Sequence, residues 1–321
     1  MPPQGPRDAP VRRLTAGVAD FIDALRNLGF LGGGVQRDAR LIHFVADDGQ
    51  PIPVRVTGEG PPIVLVHGLG CSHRHWMPVA KRLARAHQVF AWDARGHGQC
   101  RPQTGSAITL ARLAHDLRQL LDHFQLDRAA LVGHSMGALA VLNYVHAYGT
   151  SRVATLALVD QSPRIVTDDA WRLGLFGGCS AAMLGGLIQG ARIDLADTVL
   201  RQVESLAGAW LHPLLGADSA LGGWLARWLR RIDAAPLLDL AESLAQADFR
   251  PLLPGLDVPL LVVLGARSPH YADLPLGDYY RGAVAHARIS VYARAGHSPH
   301  CSEPGRFADE LERFIAEHRR G

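Results

Sequence analysis

Apolar positions along the chain follow two rhythms. Short apolar runs occur at Pro62–Val66, Ala129–Val132, Ala154–Val159 and Leu260–Leu264, the third broken only by Thr155. Runs of that length with so little polar interruption mark strands covered on both faces. Gln88–Trp92 and Arg288–Tyr292 read as two more strands. Between these segments the apolar period lengthens towards 3.6, which predicts helices over Trp76–Arg85, Leu110–His123, Met136–Tyr148 and Arg306–His318. In the last of them Phe307, Leu311, Phe314 and Ile315 share one stripe. Ahead of the first buried run, Leu41–Ala46 and Ile52–Val56 flank Asp47-Asp48-Gly49-Gln50, the pattern of a hairpin. Strands that alternate with helices and are apolar throughout predict an α/β fold. Its sheet is mostly parallel and doubly wound, with helices on both faces.

Two stretches depart from this alternation. In residues 1–39, Leu14, Val18, Phe21, Ile22, Leu25 and Leu28 make one face of an amphipathic helix. Asp20, Asp23 and Arg26 rule out a secretory core there. The expectation is an N-terminal extension that covers the body, or a homodimer or surface contact through residues 13–30. Residues 163–250 read as helical and apolar with no strong strand, which predicts a cap inserted between a core of 40–162 and 251–321. Within it, residues 173–191 carry no charge, but six glycines make a membrane span a poor reading. A soluble apolar cover over a pocket fits better. Trp171, Leu173, Leu175, Phe176, Met183, Leu184, Leu187, Ile188, Trp210, Leu211, Leu214, Leu215, Trp224 and Trp228 either line that pocket or pack on the body.

Composition narrows the chemistry. The 321 residues carry a net charge of only +3, with no basic and aromatic tract, so no nucleic-acid partner is expected. Lys81 is the sole lysine, which excludes a Walker phosphate loop. Cys71, Cys100, Cys179 and Cys301 form no CxxC pair, as suits a reducing cytoplasm. His73-Arg74-His75 lacks a wider metal motif and no His-Glu-x-x-His occurs, so no metal is expected.

The chemistry-bearing segment is Gly133-His134-Ser135-Met136-Gly137, placed between a predicted strand and a predicted helix. Gly-x-Ser-x-Gly alone is a weak signal; that context gives it meaning. A serine on such a turn projects its hydroxyl, its small neighbours leave room, and the helix N-terminus offers free N–H groups to a developing oxyanion. A serine needs a base. Of sixteen histidines, His297 sits in the loop after the final strand, at the same sheet edge, with His300 as the fallback. His67-Gly68-Leu69-Gly70 ends the first buried strand, and the Leu69 N–H is placed to join that of Met136 as the oxyanion hole.

These motifs, with Asp93-Ala94-Arg95-Gly96-His97-Gly98, resemble in order and spacing the α/β-hydrolase family over residues 50–320. The resemblance implies a serine hydrolase of carboxylic esters or thioesters that works through an acyl-enzyme without a cofactor, on a small-molecule substrate with an apolar acyl or aromatic group. It makes Asp93–Gly98 scaffold. The acid departs from the common pattern, because Ser268 stands where many relatives carry Asp. Some relatives carry the acid after the preceding strand, which here is Asp160; Asp273 is the alternative. Lactonase, carbon–carbon hydrolase and perhydrolase chemistry, or a ligand-binding module without catalysis, remain open on the same scaffold.

Overall fold

A computed structural model describes residues 40–101, 108–207, 219–231 and 233–318. The N-terminal extension, Trp210, Leu211, Leu214, Leu215 and the expected contact through residues 13–30 lie outside the described residues.

Eight strands form one sheet: β1 (Arg40–Val45), β2 (Pro51–Thr57), β3 (Pro62–Val66), β4 (Gln88–Trp92), β5 (Ala129–His134), β6 (Val153–Val159), β7 (Leu260–Gly265) and β8 (Arg288–Tyr292). Their spatial order is β1-β2-β4-β3-β5-β6-β7-β8. β1 pairs antiparallel with β2, and β2 with β4; every other pair is parallel. The hairpin turns at Gly49, whose φ of +84° is open to glycine at no steric cost.

Alternation along β3 explains why its run is apolar throughout. Val64 and Val66 face one core, with α2 (Leu110–His123) and α3 (Met136–Tyr148). Ile63 and Leu65 face the other, against α1 (Met77–Leu83) and the C-terminal helix Pro304–His318. Both layers are buried, so neither face tolerates a polar residue. Thr109 starts α2 by accepting the Arg112 N–H at 3.1 Å.

Among the described residues between β6 and β7 lie four α-helices: α4 (Ala181–Ile193), α5 (Leu195–Ala207), α6 (Ala220–Leu229) and α7 (Ala235–Ala245). The expectation of helix from residue 163 needs correction. Residues 163–180 form an irregular strap with one bridge, Asp168 to Trp171, and one short 3-10 turn. Glycine is the physical reason. Gly177 has φ of +67°, and a side chain at Gly174 would fall on the Ile165 carbonyl. Trp171 is buried, and Leu173, Leu175 and Leu184 pack on the main core. Ile188 is buried between α4 and α7. Phe176, Met183 and Trp224 are exposed. Among the described residues no helix is long and apolar enough to cross a membrane.

After β7 the chain forms α8 (Leu276–Ala283), β8, the single turn α9 (Pro299–Ser302) and α10 (Pro304–His318).

Candidate active site

The carboxyl ends of β3, β5, β6, β7 and β8 gather the expected residues at one edge of the sheet. Ser135 joins β5 to α3 at φ +53°, ψ −122°. A non-glycine residue there is strained, and strain of this kind persists only where its surroundings hold it. The surroundings are visible. The Ser135 N–H donates to the Val159 carbonyl at 3.1 Å, and the Ser135 carbonyl accepts the Ala138 N–H at 2.8 Å. A side chain at Gly133 would strike the Gly137 carbonyl, and one at Gly137 would strike the Val66 carbonyl. Both glycines are therefore required by backbone approach, and Ser135 itself stays partly accessible.

The loop after β3 reaches the same point. A Cβ on Gly68 would lie 3.3 Å from the Ser135 Cβ, so residues 68 and 69 run past the serine. His67 fixes this loop. Its Nδ1–H donates to the Gly68 carbonyl at 2.8 Å, while Nε2 accepts the Ala94 N–H at 3.0 Å. Met136 opens α3, where the first amides have no partner within the helix. Asp93 is fully buried and accepts from the His73 backbone N–H at 2.6 Å, from His73 Nδ1 at 2.8 Å and from the Gln99 N–H at 2.9 Å. It ties the loops after β3 and β4 together.

His297 lies in the loop after β8, with Nδ1 2.7 Å from Asp160 Oδ2. Asp160 ends β6 at φ +48°, a left-handed conformation that aspartate tolerates better than most residues. Its Oδ1 accepts the Gly265 N–H at 2.8 Å, and Oδ2 also accepts the Ser268 hydroxyl at 2.6 Å. Thus Ser268, at the position where the resemblance suggested an acid, holds the carboxylate that sits on the neighbouring strand. Sequence reasoning noticed that substitution but gave Ser268 no task; its place opposite the Asp160 loop was the missing fact. Asp273 is exposed. A side chain at Gly265 would fall on the Gly296 carbonyl, so the end of β7 and the His297 loop are in backbone contact.

His134 links the two loops. Its Nε2–H donates to the His297 carbonyl at 2.9 Å, which ties the residue before Ser135 to the imidazole loop. The His297 ring lies between two others, with centroids 4.7 Å from His134 and 4.3 Å from His270. Phe176 packs 5.2 Å from His270 and donates its N–H to the His270 carbonyl, so the strap reaches this edge. His300 is fully buried against His75 and Trp76.

Burial decides the charge states. It lowers the His297 pKa to about 3, which favours the neutral imidazole. It pushes the Asp160 carboxyl up to about 7, against the Ser268 hydroxyl and Gly265 amide, which favour the carboxylate. His270 is likewise pushed down to about 3 by burial.

Comparison with known proteins agrees with this architecture. Residues 61–177 match the model of the alpha/beta hydrolase fold. The chain is 30% identical over 285 residues to an uncharacterised protein of Mycobacterium tuberculosis (strain ATCC 25618 / H37Rv), covering 81% of this chain and 77% of that one. It is 24% identical over 270 residues to 3-oxoadipate enol-lactonase 1 of Acinetobacter baylyi, covering 83% and 94%. Its fold matches the crystal structure of an esterase from Rhodococcus sp. ECU1013 with TM-score 0.64 and 27% identity, over 87% of this chain and 99% of the other. The chain belongs to the α/β-hydrolase fold family, and esterases are among the proteins it is similar to.

Proposed function

We propose that this α/β-hydrolase cleaves carboxylic esters or thioesters through a Ser135–His297–Asp160 triad. The observation that carries the reading is the 2.7 Å contact of His297 Nδ1 with Asp160, in a loop tied to the serine turn by His134. Neutral His297 takes the Ser135 proton as the hydroxyl attacks the substrate carbonyl. The Leu69 and Met136 amides hold the oxyanion. Protonated His297, stabilised by Asp160, then gives its proton to the departing alcohol or thiol. Water activated by the same imidazole cleaves the acyl-enzyme, and Ser135 recovers its proton.

Residues 163–250 act as a cap over this edge. Half-exposed Phe176, itself at a strained φ of +59°, rests on His270 beside His297 and favours an apolar acyl or aromatic group. A lactone is a second substrate form with the same chemistry, supported by the enol-lactonase relative. The working compartment is the cytoplasm, in keeping with four free cysteines.

Labelling with a fluorophosphonate probe tests the nucleophile. The expected result is one modified site, lost in Ser135→Ala. Labelling that survives the substitution, or no hydrolysis across a panel of p-nitrophenyl esters and simple lactones, would reject the proposal and favour a binding module.

A further inference from the structure

Behind the triad lies a second histidine group, of which only His134, through its Nε2, already has a task in tying the His297 loop to the serine turn. His75 lies in the 3-10 turn His73–Trp76 before α1, His134 ends β5, and His300 sits on α9. Each is at least 98% buried. One ring nitrogen from each lies within 4.8 Å of the others. Ring centroids are 4.5 Å apart for His75 and His300, 4.6 Å for His134 and His300, and 5.0 Å for His75 and His134.

We propose that His75, His134 and His300 bind one borderline divalent transition-metal ion, of which Zn²⁺ is the type. Three observations support it. First, His300 Nε2 and His75 Nδ1 are 3.3 Å apart. With metal–nitrogen bonds of roughly 2.0–2.1 Å, the edge of a tetrahedral site is about 3.4 Å, so this pair already has ligand spacing. Second, His134 Nδ1, the ring nitrogen left over once Nε2 binds the His297 carbonyl, is buried with no hydrogen-bond partner among the described residues. A buried imidazole nitrogen is ordinarily satisfied, and this one asks for a partner the polypeptide does not supply. Third, His134 donates its Nε2–H to the His297 carbonyl. A metal-ligating histidine characteristically gives its second nitrogen to a backbone carbonyl, which fixes its tautomer.

The donor set also selects the ion. All three ligands are imidazoles, which suit zinc, cobalt and nickel and not the oxygen-seeking Mg²⁺ or Ca²⁺. Trp76 lies 4.1 Å from the His300 ring and Phe307 5.9 Å, an apolar wall that holds that ring in place, and a water completes the tetrahedron around the ion. No linear motif announces this site, because its ligands come from three distant segments that meet only in the fold.

The test uses the full untagged chain, refolded from denaturant with a slight excess of Zn²⁺ or Co²⁺ and passed through gel filtration. The expected result is one ion retained per chain, a thermal midpoint that rises with free metal, and for Co²⁺ the visible bands of a tetrahedral nitrogen site. His75→Phe and His300→Phe, which keep a ring in the cavity, lose the ion, whereas His43→Ala on the exposed β1 retains it. If those ring variants fail to fold, X-ray absorption on the wild-type zinc protein decides by showing three imidazole ligands or not. Natively folded chain that retains no ion, or an ion held equally by both ring variants, overturns the proposal. Neither readout depends on hydrolysis, so the triad stands or falls separately.

Discussion

Asp160 is the residue on which the imidazole depends. Its Oδ2 accepts from Ser268 at 2.6 Å and meets His297 Nδ1 at 2.7 Å, while Oδ1 accepts from Gly265 at 2.8 Å. Asp160→Asn keeps the shape but turns an acceptor into an amide, leaving the imidazole in the wrong tautomer. The expected loss in kcat is on the order of 10⁴-fold, measured with a p-nitrophenyl ester, whereas exposed Asp273→Asn stays within about twofold. Equal losses would remove Asp160 from the mechanism. Ser268→Ala deletes one charge-assisted hydrogen bond of about 1.5–3 kcal/mol, which predicts roughly a 10–100-fold lower kcat with KM little changed. The pH profile tests burial of His297. A protonated imidazole cannot accept the serine proton, so activity falls as pH drops through the His297 pKa. Burial moves that pKa below its ordinary value of 6.5, so the acid limb of kcat/KM is expected below pH 6.5. A limb near 7 would instead report protonation of Asp160, whose carboxyl burial pushes up to about 7.

At the scale of elements, the strand ends do the positioning, and they do it through backbone contact. Gly265 is the sharpest case, because a Cβ there falls on the Gly296 carbonyl next to His297. Gly265→Ala must displace that loop, and a shift of about 1 Å in a catalytic group costs roughly 10²-fold. The expected outcome is a loss of kcat of that order together with a lower thermal midpoint. Gly255→Ala, with nothing within 4 Å of its Cβ, leaves both almost unchanged. These contacts also explain what could be read from the chain alone. Apolar run length marks β3, β5, β6 and β7 because burial on both faces removes nearly every polar residue, and the expected helix Leu110–His123 is α2 to the residue, started by a Thr109 cap that only the structure shows. Ser135 was legible because the strained turn demands Gly133 and Gly137 in fixed offsets. The carboxylate was legible only in part: the chain alone favours Asp160 with Asp273 as the alternative, and the register of β6 on β7, with Val159 opposite Val263, is what brings Asp160 to Gly265 and Ser268. The strap at 163–180 was misread as helix because its apolar residues are in helical number while its glycines serve close backbone approaches. The three buried histidines left no local signal at all.

Across the whole molecule, one buried cation holds the hairpin, the loop after β4 and α2 together. Arg95 donates to Asp116 at 2.6 and 2.9 Å and to Asp48 at 2.6 and 2.8 Å, and Arg112 donates to Asp116 at 2.5 and 2.9 Å. Arg95 and Asp116 have 5% and 0% of their side chains exposed, so water cannot replace a lost partner. The neighbouring residue Ala94 gives its N–H to His67, whose ring fixes the loop running past Ser135. This chain of contacts therefore ties molecular stability to the loop that runs past Ser135. Asp116→Ala leaves the buried Arg95 guanidinium with Asp48 as its one remaining carboxylate and empties the volume beside it, and is expected to cost about 3 kcal/mol of unfolding free energy. Replacing both partners, Arg95→Met with Asp116→Leu, removes the half-compensated charge and is expected to cost less than the single change, a non-additivity readable by urea denaturation. Hydrolysis per folded molecule at a permissive temperature should fall by no more than a few-fold in either variant, because Leu69 and Met136 keep their places once the chain is folded. If the double variant is instead the less stable, Arg95 contributes net attraction beyond its desolvation cost. If activity per folded molecule collapses, the network positions the oxyanion loop directly, and the His67 to Ala94 hydrogen bond is the link to break next.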